Sequence, residues 1–448
     1  MLIQRAALLG GSTVDIRVGP TISEVATRLV ARRGEDVLDA GYATVLPGLH
    51  DHHVHLRSAA VALDSVRAGP PQVRSAGEMV EALRAARPGS DGWIRGYGYH
   101  ESVAGELNRE LLDRVSLSVP IRVQHRSGAL WVVNSAGLAR LGLADHPDGR
   151  LLRASGGISP LWPRREVPLT ELSRQLAARG VTGVTDATPH HTGDDIAGFA
   201  RARRDRELLQ RLHCMAPADT AEVSEVTLGP TKIILDDAGL DLDGLTNVVR
   251  DNHARDRGVA VHCVTAAQLV VTIAAIRAAG AHRGDRIEHA AVVPDDCLAD
   301  IAELEVTVVT QPNFIAERGD DYLTAVAPSR HHQLWRLKSL QRNGIPVALS
   351  TDMPFGDGDP WAAMQAAVHR TTGAGVVLNP TEQVSARAAV TMFTGRADRP
   401  GTARGVKAGQ PGDLCVLTAP PTDALAALEA SLVRATVIAG EVVFDAGC

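Results

Sequence analysis

The chain has 448 residues, 45% hydrophobic and 22% charged, which fits a globular enzyme of one large domain with an appendage, or of two to three domains. A formal net charge of −6 argues against a nucleic-acid partner, no apolar run reaches the roughly 18 residues of a membrane span, and Met1–Gly11 is too short and too weakly basic for a secretory signal. The five cysteines (Cys214, Cys263, Cys297, Cys415 and Cys448) are odd in number and scattered, as expected of reduced thiols in a cytoplasmic protein.

Residues 1–42 alternate short apolar runs with Gly, Ser, Thr and Asp, the pattern of short strands and turns. Residues 401–448 do the same, notably in Gly412–Leu417 and Ala435–Val443. Two β segments at opposite ends of a chain predict one small β-sandwich domain built from both termini. Between them, over 43–400, β-branched runs alternate with longer helical stretches. The predicted strands are Ala43–Leu49, Ile121–Gln124, Val181–Val184, Thr231–Leu235, Val259–His262, Arg286–His289, Val306–Thr310 and Pro346–Ser350, with helices such as Ala266–Ala279 and Pro328–Asn343. Eight such units predict an α/β fold, a (β/α)8 TIM barrel, with its chemistry at the C-terminal ends of the strands.

Those ends carry the polar residues. His50-Asp51-His52-His53-Val54-His55 contains two His-x-His pairs in opposite phases, His50/His52 and His53/His55. Residues i and i+2 of a strand share a face, so either pair could reach one metal ion. In a chain with 17 histidines a single such pair is close to chance. His262, Glu288-His289 and Asp352 then fall at the ends of later predicted strands. One histidine there is ordinarily a rim residue, and one aspartate a helix cap; the whole series at the same end of successive strands is much harder to dismiss.

Lys232 adds an independent signal. Of 46 basic residues only three are lysines, Lys232, Lys338 and Lys407, and Lys232 alone sits in an apolar strand. Burying a charged amine is costly. An uncharged amine can add CO2 to give a carbamate with two oxygens, which arginine does not do readily.

Together, Pro47-Gly48-x-x-Asp51-x-His53-x-His55, Lys232, His262, His289 and Asp352 resemble the amidohydrolase superfamily. Within it, the chain resembles the branch of N-substituted formamide deformylases and related N-acyl hydrolases. The supporting motifs are Gly92–Gly98, Val133–Leu138, Gly180–Asp186, Gln311–Phe314 and Ser350–Pro354. The resemblance places the ligands at His53 and His55 instead of His50 and His52. It implies two divalent ions, His53 and His55 on the more buried one, N6-carboxylated Lys232 bridging to a second held by His262 and His289, and Asp352 touching a metal and shuttling the proton. Imidazole-rich sites suit zinc, with manganese, iron and nickel as alternatives.

Two departures bear on the substrate. Ala129 stands where the branch has a histidine about five residues before Asn134-Ser135, the nearest being His125. About 29 residues separate Lys232 from His262, fewer than in relatives, which suggests an open mouth and a bulky or extended substrate. Peptide-cleaving relatives in natural-product maturation, such as those that remove a follower peptide in bottromycin-type pathways, are one such group. Expected pocket residues are Trp93, Tyr99, His100, His125, Trp131, Phe314 and Arg370, with Glu101, His190, His191, Trp335 and Phe355 nearby; Cys263 should face the core. The reading is therefore a metal-dependent hydrolase of a small-molecule amide or a peptide, with homo-oligomerisation left open. A deaminase of a cyclic C–N bond is the first alternative, disfavoured by Lys232. An inactive structural homologue is the second, disfavoured by the full ligand set.

Overall fold

The strands Leu49–Val54 and Val181–Asp186 are buried along their whole lengths, as parallel strands covered on both faces must be. They belong to the larger of two units in the computed structural model, which describes residues 1–152 and 167–447. That unit joins Met1–His55 to the chain from Leu169 onward, and the other unit is Leu56–Pro168. Cys448 lies outside the described residues.

In the larger unit the two chain ends form two four-stranded sheets. One has the order Ile22–Ala26, Thr13–Val18, Leu2–Ala7, Val37–Asp39. The other has the order Glu441–Asp445, Val433–Ile438, Leu414–Leu417, Val45–Pro47. Both contribute to one apolar cluster that includes Ile3, Ile16, Val45, Leu414, Val416 and Val437. The predicted strand Ala43–Leu49 is thus divided. Val45–Pro47 pairs antiparallel with Leu414–Leu417, and the parallel strand begins at Leu49. The chain changes sheet at Pro47-Gly48, where a Cβ on Gly48 would lie 2.2 Å from the Thr182 side chain.

Two parallel sheets follow. The first has the order Val226–Gly229, Arg211–Met215, Val181–Asp186, Leu49–Val54, and the second runs Thr231–Ile234, Val259–Cys263, Arg286–His289, Thr307–Thr310, Val347–Leu349. Only Pro230, which has no N–H to offer a ladder, separates Gly229 from Thr231. At the far edges the Asp352 N–H donates to the His53 carbonyl (3.0 Å) and the His55 N–H to that of Met353 (2.9 Å). Arg211–Met215 and Val226–Gly229 were not legible as strands, because histidine, cysteine, methionine and glycine dilute their β-branched signal. The helix Ala266–Ala279 begins at a Thr265/Gln268 capping box. The stretch Pro328–Asn343 is instead two pieces, a 3-10 segment Pro328–Gln333 and a helix Leu337–Arg342.

The unit Leu56–Pro168 has its own five-stranded sheet, ordered Arg150–Leu152, Leu130–Val133, Ile121–His125, Ile94–Tyr99, Val66–Arg67. The predicted barrel strand Ile121–Gln124 belongs here, pairing antiparallel with Leu130–Val133. The segment 43–400 thus contributes to both units, since a β-branched run does not say which sheet it joins. Among the described residues no helix is long and apolar enough to cross a membrane.

Arg370, a sequence-predicted substrate contact, has a different task. It closes the helix Pro360–His369 in a left-handed conformation. Its fully buried guanidinium donates to the carbonyls of Leu378 (2.8 Å), Trp335 (2.9 Å) and Leu334 (3.0 Å). Its fork is spent on backbone, so it ties three segments together. Replacing it with leucine strands three buried carbonyls. Arg370→Leu should lower stability by about 3 kcal/mol or more, read as a fall in the urea midpoint; an unchanged midpoint would contradict this role.

Candidate metal centre

Four strand ends converge on one point. His53 and His55 come from the end of Leu49–Val54, Lys232 from Thr231–Ile234, His262 from Val259–Cys263, and His289 from Arg286–His289. Asp352 follows Val347–Leu349. Its Oδ1 lies 3.2 Å from His55 Nε2 and 3.6 Å from His53 Nε2, and these three residues form a cluster able to hold a metal ion. Lys232 Nζ is 3.4 Å from His53 Nε2. The ring of His289 is 4.9 Å from that of His53 and 4.4 Å from that of His262. All six residues singled out by sequence are thus brought together.

The hydrogen bonds behind the rings set which way their lone pairs face. His53 Nδ1 meets the Glu288 carboxylate, an acceptor only, so the proton sits on Nδ1 and the Nε2 lone pair points inward. His289 Nδ1 likewise faces Gln311 Oε1 at 2.7 Å, while the Gln311 amide donates to Ser350 Oγ at 2.9 Å, leaving Nε2 as the acceptor. His55 Nδ1 contacts Thr188 Oγ1 at 3.1 Å. Asp352 Oδ1 is buried and has no hydrogen-bond donor among the described residues. An imidazole lone pair and a carboxylate oxygen facing each other in a dry site repel unless a cation lies between them. The donor set therefore fits a divalent ion.

Burial works against the charged forms of the histidines and of Lys232. Desolvation drives His53 and His289 well below the ordinary imidazole value. It takes His262 down to about 3 and Lys232 down to about 8. Asp51, not singled out as functional, clamps the two halves of the site. Its wholly buried carboxylate accepts the Thr351 N–H (3.0 Å) and hydroxyl (2.5 Å), and burial raises it to about 7. Glu288 was the other omission. It is locked by Arg286, whose Nε donates to it at 2.7 Å. Its place immediately before His289, the last residue of the strand Arg286–His289, was the available signal. Asp352 and His289 both have positive φ, 56° and 71°, a strain tolerated at functional sites.

The alternative pair points elsewhere. His50 Nε2 meets Thr185 Oγ1 at 2.9 Å and its ring packs on that of His52. Cys263 faces the core as expected, its thiol 3.2 Å from Thr272 Oγ1 and pushed up to about 12. Phe355 stands edge-on to the His55 ring at 5.1 Å. Phe314 and Trp335, by contrast, are buried in one apolar cluster with Leu334 and Leu378. His191 is buried against Asp186 at 2.9 Å, whereas His190 is exposed.

The remaining expected pocket residues lie in the Leu56–Pro168 unit. Tyr99 is in its core, with its hydroxyl on the Gly105 carbonyl at 2.7 Å, and Trp93 packs with Val133, Leu138 and Leu151. Both are interior residues of that unit. His125 Nε2 lies 3.0 Å from Glu101, His100 Nε2 3.8 Å from the same carboxylate, and Trp131 carries the Arg122 guanidinium 4.9 Å from its ring centre. Those three keep partly exposed side chains.

The profile of the Amidohydrolase family matches residues 36–444. The chain belongs to the amidohydrolase family. It is similar to an N-substituted formamide deformylase of Arthrobacter pascens, 28% identical over 94% of this chain and 91% of that one. Two solved structures share the fold. One is an uncharacterized metal-dependent hydrolase from Pyrococcus horikoshii OT3 (TM-score 0.76, 18% identity, 94% of this chain and 97% of that one). The other is the atrazine chlorohydrolase TrzN from Arthrobacter aurescens TC1, complexed with zinc (TM-score 0.58, 16% identity, 99% and 95%). This amidohydrolase is accordingly a metal-dependent hydrolase acting on carbon–nitrogen bonds, and its family implies an α/β fold with a TIM barrel plus a further domain.

Two substitutions separate the ligand phase from its neighbour. Glu288→Gln should weaken divalent-ion affinity about 10–100-fold by freeing His53, measured by competition with a chromogenic chelator. His52→Gln should leave that affinity unchanged; a loss of the same size there would reverse the assignment.

Proposed function

We propose that this amidohydrolase cleaves the amide bond of an N-acylated amine, and that the two parallel sheets are one (β/α)8 barrel in which Pro230 interrupts the fourth strand, with the terminal sheets as its β-sandwich. The observation that carries the reading is the buried Lys232 amine beside the inward lone pair of His53. That lysine, as a carbamate, would join His53, His55, His262, His289 and Asp352 around two divalent ions, zinc being the proposed metal. The similar deformylase supports the N-acyl amine class.

The ions, when bound, supply Lewis acidity toward a carbonyl and lower the pKa of water toward neutrality. The chain's own contribution is orientation and proton transfer. Asp352 Oδ1 takes the proton of the attacking water and returns it to the departing nitrogen. The Asp51–Thr351 clamp and the hydrogen bond from the Asp352 N–H to the His53 carbonyl hold that oxygen in place. Glu288 and Gln311 fix the tautomers of His53 and His289.

A peptide substrate is the second reading. The 231–259 connection consists of a 3-10 turn Asp237–Gly239 and the helix Leu242–His253, with no long loop.

Turnover of N-formyl and N-acyl amines, N-acyl amino acids and peptides, followed by mass spectrometry, decides the substrate class. N-acyl amines should turn over, and Asp352→Asn should slow the reaction about 10^2–10^4-fold. An Asp352→Asn variant of full activity would remove the proton shuttle, and cleavage of peptides alone would favour the second reading. A further outcome concerns the lysine. Carbamate formation needs the free amine, and with its value lowered to about 8 the neutral fraction of Lys232 rises from about a tenth at pH 7 to about nine-tenths at pH 9. At constant dissolved CO2, metal loading should improve across that window. A Lys232→Met variant should show no CO2 dependence, and a wild type equally indifferent to CO2 would contradict the carbamate.

A further inference from the structure

The face of the strand Thr231–Ile234 that bears Lys232 carries one more large side chain. Residues i and i+2 of a strand share a face. Ile234 therefore follows Lys232 on the side where the lysine Nζ lies 3.4 Å from His53 Nε2. The parallel ladder sets its row. Lys232 pairs with Ala260, and Ala260 with Arg286; Ile234 pairs with His262, and His262 with Glu288. Ile234 thus stands in the row of His262 and of the carboxylate that holds His53, nearer the strand ends than Lys232. Exposure rises along this row. Glu288 is wholly buried, His262 is partly buried and Ile234 is 47% exposed, so the row opens to solvent at Ile234.

An isolated apolar residue on an outer surface needs no explanation. Ile234 differs because it lies on the ligand face, beside polar side chains that already have tasks. The wall it forms is fixed in place. The Gln268 amide donates to the Leu235 carbonyl at 3.4 Å and the Thr265 hydroxyl to Asp237 Oδ1 at 3.1 Å, which ties the chain after Ile234 to the start of the helix Ala266–Ala279. A second apolar side chain, the partly exposed Phe355, stands against the His55 ring, and Arg318 donates to its carbonyl. A carboxylate laid on Ile234 would lose water without gaining a partner. The exposed Asp236 and Asp237 that follow would repel it. An alkyl or aryl group would instead leave water for an apolar surface.

We propose that Ile234 is a specificity-determining residue. It packs against an uncharged apolar group of the substrate, carried on the acyl or the amine side of the scissile bond, and rejects substrates that place a carboxylate there. The inference rests on the amide-hydrolase reading above and deepens it, because it separates neutral N-acyl amines from N-acyl amino acids.

The test is kcat/KM of the purified protein on two series, N-formyl n-alkylamines and N-methyl n-alkanamides, with chains from methyl to hexyl. An N-formyl ω-amino acid of the longest chain length serves as the anionic counterpart. In at least one series kcat/KM should rise about two- to fourfold per added methylene, and the series that rises identifies the side of the bond that meets Ile234. Ile234→Ala should cut the hexyl-to-methyl ratio in that series about tenfold. Ile234→Arg should raise the ratio of the ω-amino acid to the neutral hexyl substrate about tenfold or more. Circular dichroism and elemental analysis check that both variants fold and carry the metal content of the wild type. A role confined to packing would lower every substrate alike, and ratios unchanged in both variants would overturn the proposal. So would amide cleavage indifferent to chain length in both series, with the amide reading left standing. A wild type that cleaves no member of either series would overturn the amide reading and this inference with it.

Discussion

Two acceptors, the Nε2 lone pair of His53 and the Oδ1 of Asp352, face each other across 3.6 Å in a site nearly closed to water. Lone pairs so placed repel, and burial removes the water that would otherwise separate them. The surrounding structure is arranged to hold this unfavourable meeting open for a cation. Glu288 prevents the imidazole from turning its N–H inward, and Arg286 prevents Glu288 from leaving. Asp51 ties the Thr351-Asp352 turn to the strand that bears the histidines.

The fold makes the meeting possible by register. Cys263 pairs with His289, and Ile234 with His262, along adjacent parallel strands, so successive strand ends deliver one ligand each to the same level. The strand bearing His53 is linked at its end to the segment bearing Asp352. Asp51 and Thr351, 300 positions apart, thereby act as neighbours. The positive φ of His289 and Asp352 shows that the backbone bends away from its relaxed form where these side chains turn inward.

Much of this was legible before any coordinates. β-branched runs separated by longer helical stretches gave most of the parallel strands, and the scarcity of lysine pointed to Lys232. The rest failed for physical reasons. Val45–Pro47 and Ile121–His125 have the composition of barrel strands, but strand composition reports burial and not partnership, so neither the place of Val45–Pro47 in the terminal β sheet nor the separate 56–168 unit was visible. Trp93, Tyr99 and Arg370 looked like pocket residues because large or charged side chains after strands often are; Tyr99 and Arg370 instead satisfy backbone carbonyls, and Trp93 fills a core. Asp51 stood in the quoted motif but received no role, and Glu288 was passed over, because spacing shows which side chains can share a metal and not which ones hold them in place.

Membership of the amidohydrolase family makes a metal-dependent reaction at carbon–nitrogen bonds secure, and the six proposed ligands lie together in the fold. The most direct test is elemental analysis of the purified chain after exhaustive dialysis against metal-free buffer. The account predicts about two equivalents of divalent ion per chain, zinc foremost, retained through dialysis by the buried donor set. A chain that is folded, fully active and free of metal would contradict it.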